Sequence, residues 1–403
     1  MNAKPPSENQ KKDQAEHAGP SEFDRQMMQV ALTVASRGHG RTAPNPAVGA
    51  VIANEATGEV IARGWTQPTG RPHAETEALR QAGDRARGQT IYVTLEPCSH
   101  YGKTAPCADA IVQAGVGRVV VAVEDPNPRV SGRGLDRIRA AGIKVTRGVR
   151  ADEAHASLRG HIVRVTERRP LVQLKMALDQ TGEVARGVDG KPVWVTGELA
   201  RRVGHMLRAK ADAILIGAGT LRDDDPALSC RLPGLENRSP RPVIVAGQTV
   251  ISPDARLLSS STTPSITPVL TNKPILAIPS LEQLESSKNE HSTNADVVAL
   301  KTVRGQIWLP ALAEALVARG ITRLLVEGGP TMWKAFLMSR MADEIVVFKA
   351  LGADGLDGAS QRVQNNLAAL SNGWTFTCIE KRRLDNDGMF VLRPASASAL
   401  PHD

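Results

Sequence analysis

Three side chains in the first third of the sequence have the types and spacing to bind a reactive metal: His73, Cys98 and Cys107. One imidazole and two thiolates supply the three protein ligands of a catalytic zinc and leave a fourth position open for water. His73 and Cys107 fall where helices are expected to start. Glu75, two residues after His73, lies near the start of the same helix, where it can lean over the open position without being a ligand and can move protons. One Zn2+ per chain is expected. A closed structural site would need a fourth Cys or His, and His100 is the only candidate nearby. A second chemical signal is Leu324-Leu-Val-Glu327-Gly328-Gly329-Pro330-Thr331, which reads as a strand ending in two glycines with Pro at the first helical position. Such a turn leaves backbone N–H groups open at a helix start, where phosphates dock. Gly217-Ala-Gly219-Thr220 also follows an expected strand, but a lone Gly-x-Gly is weak on its own.

The elements around these groups follow from periodicity and turn chemistry. Residues 1–22 combine Pro, Lys, Gln, Glu and Ser with almost no large apolar groups, which predicts a disordered tail. Phe23, Met27, Val30, Ala31, Val34 and Ala35 then recur at helical spacing. Strands are expected over 47–52, 60–65, 90–95, 118–123 and 144–147, and helices over 73–82, 108–114 and 134–141. The alternation predicts an α/β domain over 23–166 whose sheet is covered on both faces. The charged stretch Val165-Thr-Glu-Arg-Arg-Pro170 marks the expected boundary. A second domain, 170–395, is expected to carry strands over 171–177, 213–217, 242–246, 275–278, 296–300, 323–327 and 344–349. Its helices are expected near 198–209, 311–318 and 331–339. Aperiodic polar residues at 259–268 and 286–294 read as long surface loops.

His73-x-Glu75 followed by Pro97-Cys98 is the pattern of zinc deaminases, in which activated water attacks an amino-bearing ring carbon. Eight residues separate the two cysteines where the general pattern has two. That segment, Glu96-Pro-Cys-Ser-His-Tyr-Gly-Lys-Thr-Ala-Pro-Cys107, closely resembles the deaminase half of the bifunctional riboflavin-biosynthesis deaminase/reductases. So do Pro44-Asn45-Pro46-Ala-Val-Gly49, Asp125-Pro-Asn-Pro128 and Gly132-Arg-Gly134. Trp194-Val-Thr196 and Thr220-Leu-Arg-Asp-Asp224-Asp225-Pro226-Ala-Leu228-Ser-Cys-Arg231 resemble the reductase half, and the likeness spans roughly residues 23–392.

The resemblance implies an α/β chain with an N-terminal cytidine-deaminase-like three-layer domain and a C-terminal dihydrofolate-reductase-like domain that uses NADPH. It implies deamination of a diaminopyrimidinone carrying a ribose phosphate, then reduction of the ribosyl group to ribityl. Asn45, His100, Lys103 and Thr104 would bind the deaminase substrate. Lys175, Trp194, Thr196, Arg208, Asp224, Leu228, Arg231 and Glu327 would surround the sugar phosphate, and Gly217, Gly219, Thr220, Gly328 and Gly329 the dinucleotide. Asp224 would position the proton delivered to the opening ring oxygen as hydride reaches carbon. Two places depart from the family. Asp179-Gln180-Thr181-Gly182 stands where Ser-x-Asp-Gly is usual, and Val193 where a polar residue usually precedes Trp-x-Thr.

At 403 residues the chain has room for two or three domains. Four scattered cysteines cannot make a disulfide framework in a chain of this length, so Cys230 and Cys378 read as reduced thiols. The formal net charge of +8 comes from Lys and Arg spread along the whole length, which fits phosphorylated small molecules better than nucleic acid. No apolar window suits a membrane span or signal peptide, so a cytoplasmic protein without a membrane partner is expected; a homo-oligomer without a nucleic-acid partner is a separate expectation. A nucleic-acid or other nucleobase deaminase with a non-catalytic reductase-like domain is the alternative, and a zinc-stabilised binding protein is a third reading.

Overall fold

The first helix, α1 (Glu22–Ala35), opens on a reciprocal capping box: the Ser21 hydroxyl accepts the Asp24 N–H and the Asp24 carboxylate accepts the Ser21 N–H, both at 3.0 Å. The computed structural model describes residues 19–102, 105–128, 130–184, 196–247, 249, 251–252, 254–259, 273–278, 295–303, 306–352 and 355–395. The expected tail up to residue 18 and most of the two expected polar loops lie outside these residues. Chain contacts separate two units, Met1–Gly38 with Pro46–Ile162, and His39–Asn45 with Val163–Asp403.

In the first unit, β1 (Gly49–Ala53), β2 (Val60–Trp65), β3 (Thr90–Leu95), β4 (Arg118–Val123) and β5 (Lys144–Arg147) form one sheet in the order β2-β1-β3-β4-β5. β1 runs antiparallel to β2 and β3, whereas β3, β4 and β5 are parallel. Every residue of β1 and β3 is buried, so both faces of the sheet are covered. The helices are α1, α2 (Ala74–Ala82), α3 (Cys107–Ala114), α4 (Arg133–Ala140) and α5 (Ala151–Glu167). Periodicity predicts no element over 151–167, yet α5 is helical there and buries Ala154 and Leu158 in the core. The contact division falls inside this helix, ahead of the charged stretch. Buried Asp24 anchors α1 by receiving both terminal nitrogens of Arg118, at 2.9 Å each. Gly64 is needed for close approach: a Cβ there would lie 2.1 Å from the carbonyl oxygen of Ala74, so β2 lies directly against the first turn of α2.

The second unit contains a nine-stranded sheet in the order β10-β9-β8-β7-β13-β6-β14-β16-β15. Its strands are β6 (Leu171–Leu178), β7 (Ala213–Gly217), β8 (Arg241–Val245), β9 (Ile275–Ile278), β10 (Asp296–Ala299), β13 (Arg323–Val326), β14 (Glu344–Ala350), β15 (Phe376–Leu384) and β16 (Asp387–Pro394). β11 (Thr302–Val303) and β12 (Gln306–Ile307) form a separate small ladder. Neighbours from β10 to β14 are parallel, and β16 and β15 complete the edge as an antiparallel pair. The helices are α6 (Glu198–Lys210), α7 (Ala218–Asp224), α8 (Arg256–Ser259), α9 (Leu309–Ala318), α10 (Pro330–Met338) and α11 (Gly355–Leu370). Periodicity does not predict α7, α8, α11 or the β15–β16 hairpin. The edge strand β15 shows why: Glu380, Lys381, Arg382 and Arg383 are all exposed and leave no apolar alternation to read.

The altered segment at 179–182 is a closed turn. Asp179 Oδ1 accepts the Thr181 N–H at 2.8 Å, its hydroxyl at 2.6 Å and the Gly182 N–H at 3.0 Å. Buried Lys349 holds the turn by donating to the carbonyls of Asp179 at 3.0 Å and Gln180 at 2.6 Å. Carboxylate and hydroxyl have thus exchanged places relative to Ser-x-Asp. Among the described residues no helix is long and apolar enough to cross a membrane.

Candidate active sites

The imidazole–thiol cluster forms where two helices begin beside the end of a strand. His73 is the N-cap of α2, Cys107 the first residue of α3, and Cys98 lies just beyond β3. His73 Nδ1 lies 3.3 Å from Cys107 Sγ and 3.7 Å from Cys98 Sγ, and the Cys107 N–H donates to Cys98 Sγ at 3.3 Å. The three donor atoms all lie within 4.8 Å of one another, the only such group found among the described residues. The cluster does not include His100, the proposed fourth ligand of a structural zinc, so the donor set fits a metal with an open position.

The two thiols of the cluster are oppositely shifted, and His73 is raised above its ordinary value chiefly by its hydrogen bond to Cys98. The Cys107 thiol holds Cys98 down to about 4, against burial, with His73 adding to the pull. Its hydrogen bond to Cys98, together with burial, keeps Cys107 well above the ordinary thiol range. Glu75 is buried on the same first turn of α2, and burial pushes its carboxyl up to about 7 against the attraction of His73. A carboxyl in that range can hold and release a proton near neutrality.

Glu96 fixes the loop that carries Cys98. Its buried carboxylate accepts backbone N–H groups from Asp125 at 3.3 Å, Gly132 at 3.0 Å, Gly134 at 3.0 Å and Leu135 at 3.4 Å. A Cβ at Gly134 would lie 2.0 Å from the Pro97 carbonyl oxygen. Gly134→Ala is therefore expected to displace the Pro97–Cys98 loop and destabilise this unit by about 1–3 kcal/mol, the usual range for overpacking. Zinc content and thermal unfolding measure this, with Gly204→Ala, which meets open space inside α6, as a control that is expected to keep zinc and to be, if anything, slightly stabilised. Equal behaviour of the two variants would refute the packing argument.

A second cluster forms at the carboxyl ends of parallel strands in the other unit. Lys175 lies on β6, Glu327 directly follows β13, and β13 pairs with both β6 and β7. Arg208, on α6, donates to Glu327 through Nε at 2.9 Å and Nη2 at 3.0 Å, while Lys175 Nζ stands 3.8 Å from the same carboxylate. Burial pushes Glu327 up, but Lys175 and Arg208 outweigh it and hold the carboxyl below its ordinary range. Beyond Glu327, Gly329 is the N-cap of α10 with no side-chain cap, Pro330 takes an early helical position, and the Met332 and Trp333 N–H groups donate to the Gly329 carbonyl at 3.0 and 3.1 Å. Gly217 ends β7 alongside: a Cβ on Gly328 would lie 3.9 Å from the Gly217 nitrogen. These glycines form a backbone floor of the kind a dinucleotide phosphate needs.

The other expected site residues divide. Leu228 is buried with a left-handed backbone, φ 51°, and Arg231 is exposed three residues on. Asp224 ends α7 exposed to solvent. Gly219 and Thr220 lie on that short helix, and the Thr196 carbonyl accepts Arg201 at 2.8 Å. Asn45 belongs to the stretch that groups with the second unit, where its N–H donates to the Thr42 carbonyl at 2.9 Å. His100 is exposed. Lys103, Thr104 and Trp194 lie outside the described residues.

Residues 21–123 match the cytidine and deoxycytidylate deaminase zinc-binding region, and residues 170–364 match the RibD C-terminal domain. The riboflavin biosynthesis protein RibD of Aquifex aeolicus is 38% identical over 82% of this chain and 87% of its own length. The chain belongs to the RibD family. RibD of Escherichia coli is 37% identical over 82% of this chain and 89% of its own. The solved structure of Acinetobacter baumannii RibD, form 1, superposes with a TM-score of 0.75 at 31% identity, covering 93% of this chain and 99% of the other. The Thermotoga maritima diaminohydroxyphosphoribosylaminopyrimidine deaminase/5-amino-6-(5-phosphoribosylamino)uracil reductase gives 0.75 at 32%, with the same coverage. As a RibD-family chain it has a cytidine-deaminase-like first half and a dihydrofolate-reductase-like second half, as the sequence motifs imply.

Sequence reasoning about this RibD-family chain left three groups without a role. Glu96 opens the segment that ends at Cys107, but only the fold shows it gathering the N–H groups of Asp125, Gly132, Gly134 and Leu135. Asp125 faces His161 on α5, with Nε2 3.1 Å from Oδ1, a pairing across 36 residues that no local pattern announces. His205 lies one turn before Arg208, and its contact with Arg231 spans a strand and a helix.

Proposed function

We propose that this chain is a bifunctional enzyme of riboflavin biosynthesis. It hydrolytically deaminates 2,5-diamino-6-(5-phosphoribosylamino)pyrimidin-4(3H)-one and then reduces the ribosyl group of the product to ribityl with NADPH. The observation that carries the reading is one chain holding both clusters: His73, Cys98 and Cys107 beside buried Glu75, and Lys175, Arg208 and Glu327 beside the glycine turns. We place the two activities in residues 23–166 and 170–395.

In the first half, His73, Cys98 and Cys107 would hold one zinc. Zinc held there supplies Lewis acidity toward water. Glu75 takes the proton that the attacking water loses and returns it to the departing amine, which leaves as ammonia. Asn45, His100, Lys103 and Thr104 bind the ribose phosphate and ring edge. Cys107→Ser is expected to lose most of the zinc together with ammonia release, read by metal analysis and an ammonia assay. Full zinc and full activity in that variant would overturn the ligand set.

In the second half, the N–H groups at Gly328 and Gly329 and the turn Gly217, Gly219 and Thr220 hold the dinucleotide, which supplies hydride. Lys175, Arg208 and Arg231 bind the sugar phosphate, with Trp194, Thr196, Leu228 and Glu327 shaping the pocket. Asp224 positions the proton at the opening ring oxygen; although the residue is exposed, partial desolvation, with Asp223 adding to it, raises its carboxyl above the ordinary value. Asp224→Asn is expected to lower NADPH oxidation on the deaminated substrate and to leave zinc and ammonia release intact. Unchanged NADPH oxidation would remove Asp224 from the reaction. A homo-oligomer in the cytoplasm is the setting we propose. A nucleic-acid deaminase with an idle second half would release ammonia from polynucleotide and oxidise no NADPH.

A further inference from the structure

His205 has no part in the reading above, yet it sits at the centre of the bonds that shape the Leu228–Arg231 segment. Its ring Nδ1 accepts the backbone N–H of Arg231 at 3.3 Å, and its carbonyl accepts the Cys230 thiol at 3.5 Å. Arg208, three residues on and on the same face of α6, donates Nη1 to the Ser229 carbonyl at 3.0 Å. From the other side the Ser239 hydroxyl accepts the Cys230 N–H at 3.0 Å. Residues 229, 230 and 231 are thus each tied to position 205 or 208 of one helix.

The segment needs this restraint. Leu228 has φ 51° and Asp225 φ 35°, in the left-handed region that residues with a Cβ avoid. Their neighbours must therefore hold the backbone in a shape that local preference opposes. An imidazole that accepts at Nδ1 carries its single proton on Nε2. The surroundings favour that neutral ring: burial lowers its pKa and Arg208 and Arg231 lower it further, outweighing Glu327 and a hydrogen bond to the Ser229 backbone, which oppose them.

We propose that His205 is a positioning residue of the reductase half: by accepting the Arg231 N–H at Nδ1 it fixes the backbone from which the Arg231 guanidinium reaches the anionic sugar-phosphate end of the substrate. The inference rests on the reductase reading for the identity of that substrate, but the hydrogen bond can be tested without it. His205→Asn keeps an acceptor near the position of Nδ1, whereas His205→Gln places its acceptor nearer Nε2 and His205→Leu has none. With full-length protein, KM for the deaminated substrate in NADPH oxidation is expected to rise roughly three- to tenfold in the Leu and Gln variants, with kcat kept. Asn is expected to restore KM to within about twofold of the wild type. Hydrogen exchange at the Arg231 amide is expected to accelerate in the Leu and Gln variants and to stay slow with Asn. Ammonia release is expected to be equal in all four proteins.

Slow Arg231 exchange in all three variants would overturn the inference, and so would an Asn variant as impaired as Leu. A fall in kcat at unchanged KM would also overturn it, because His205 would then act in the chemical step. A wild type that oxidises no NADPH would instead remove the reductase reading, while the exchange pattern would still decide the role of His205.

Discussion

Glu75→Gln is expected to keep its zinc and to lose about 10²- to 10⁴-fold in ammonia release, the range typical of a general acid–base group. The amide has the shape of the carboxylate and fits the same buried space at the start of α2, so the three ligands keep their support. What it lacks is a site that takes and returns a proton. Burial already pushes the native carboxyl up to about 7, which makes Glu75 a reservoir matched to neutral conditions rather than a fixed anion. Zinc analysis separates this outcome from simple loss of the site. NADPH oxidation on substrate supplied already deaminated is expected to be unaffected. Near-normal ammonia release from a zinc-loaded Glu75→Gln protein would end the proton-shuttle role.

The first site was more legible in the sequence than the second, and the reason is physical. Zinc ligands at the starts of α2 and α3 and after β3 fall within 35 positions, and each stands at an element boundary marked by Pro or by a change of period. The second cluster joins Lys175, Arg208 and Glu327, which only the parallel order β7-β13-β6 brings together. No residue spacing encodes that order, and the resemblance had to supply those positions. Val165-Thr-Glu-Arg-Arg-Pro170 reads as a linker because its charges hide the end of α5, a helix whose buried side includes small Ala154. The exchange at Asp179 and Thr181 looks like a loss in sequence, but in the fold the two side chains bind each other, the Thr181 hydroxyl donating to Asp179 Oδ1 at 2.6 Å.

Glu327→Gln is expected to damage the reductase half in two separable ways. The native carboxylate stands between two cations, taking two hydrogen bonds from Arg208 with Lys175 at 3.8 Å, and little of it is exposed. Removing its charge leaves two partly buried cations facing each other, and breaking such a pair costs at most about 3–5 kcal/mol, the figure for a fully buried pair. The neutral amide keeps the volume, so a loss of that size in the unfolding of the reductase half would come from charge and not from a cavity. The acid limb of stability checks the sign. Because the folded carboxyl is held below its ordinary value, its contribution is complete above roughly pH 4.3, the usual Glu value, and fades as pH falls further toward the folded value. The difference in stability between wild type and Glu327→Gln should therefore be flat near neutrality and shrink on acidification. In turnover, misplaced Arg208 and Lys175 are expected to raise KM for the deaminated substrate at least tenfold while ammonia release is kept, since lost ground-state contacts appear in KM first. A double-mutant cycle with Arg208→Gln decides whether the carboxylate acts through that guanidinium: coupled partners in direct contact show an interaction energy of about 0.5–3 kcal/mol. Strict additivity of the two substitutions would mean that Glu327 serves the reductase site without Arg208, and the bidentate pair would lose its place in the binding of the sugar phosphate.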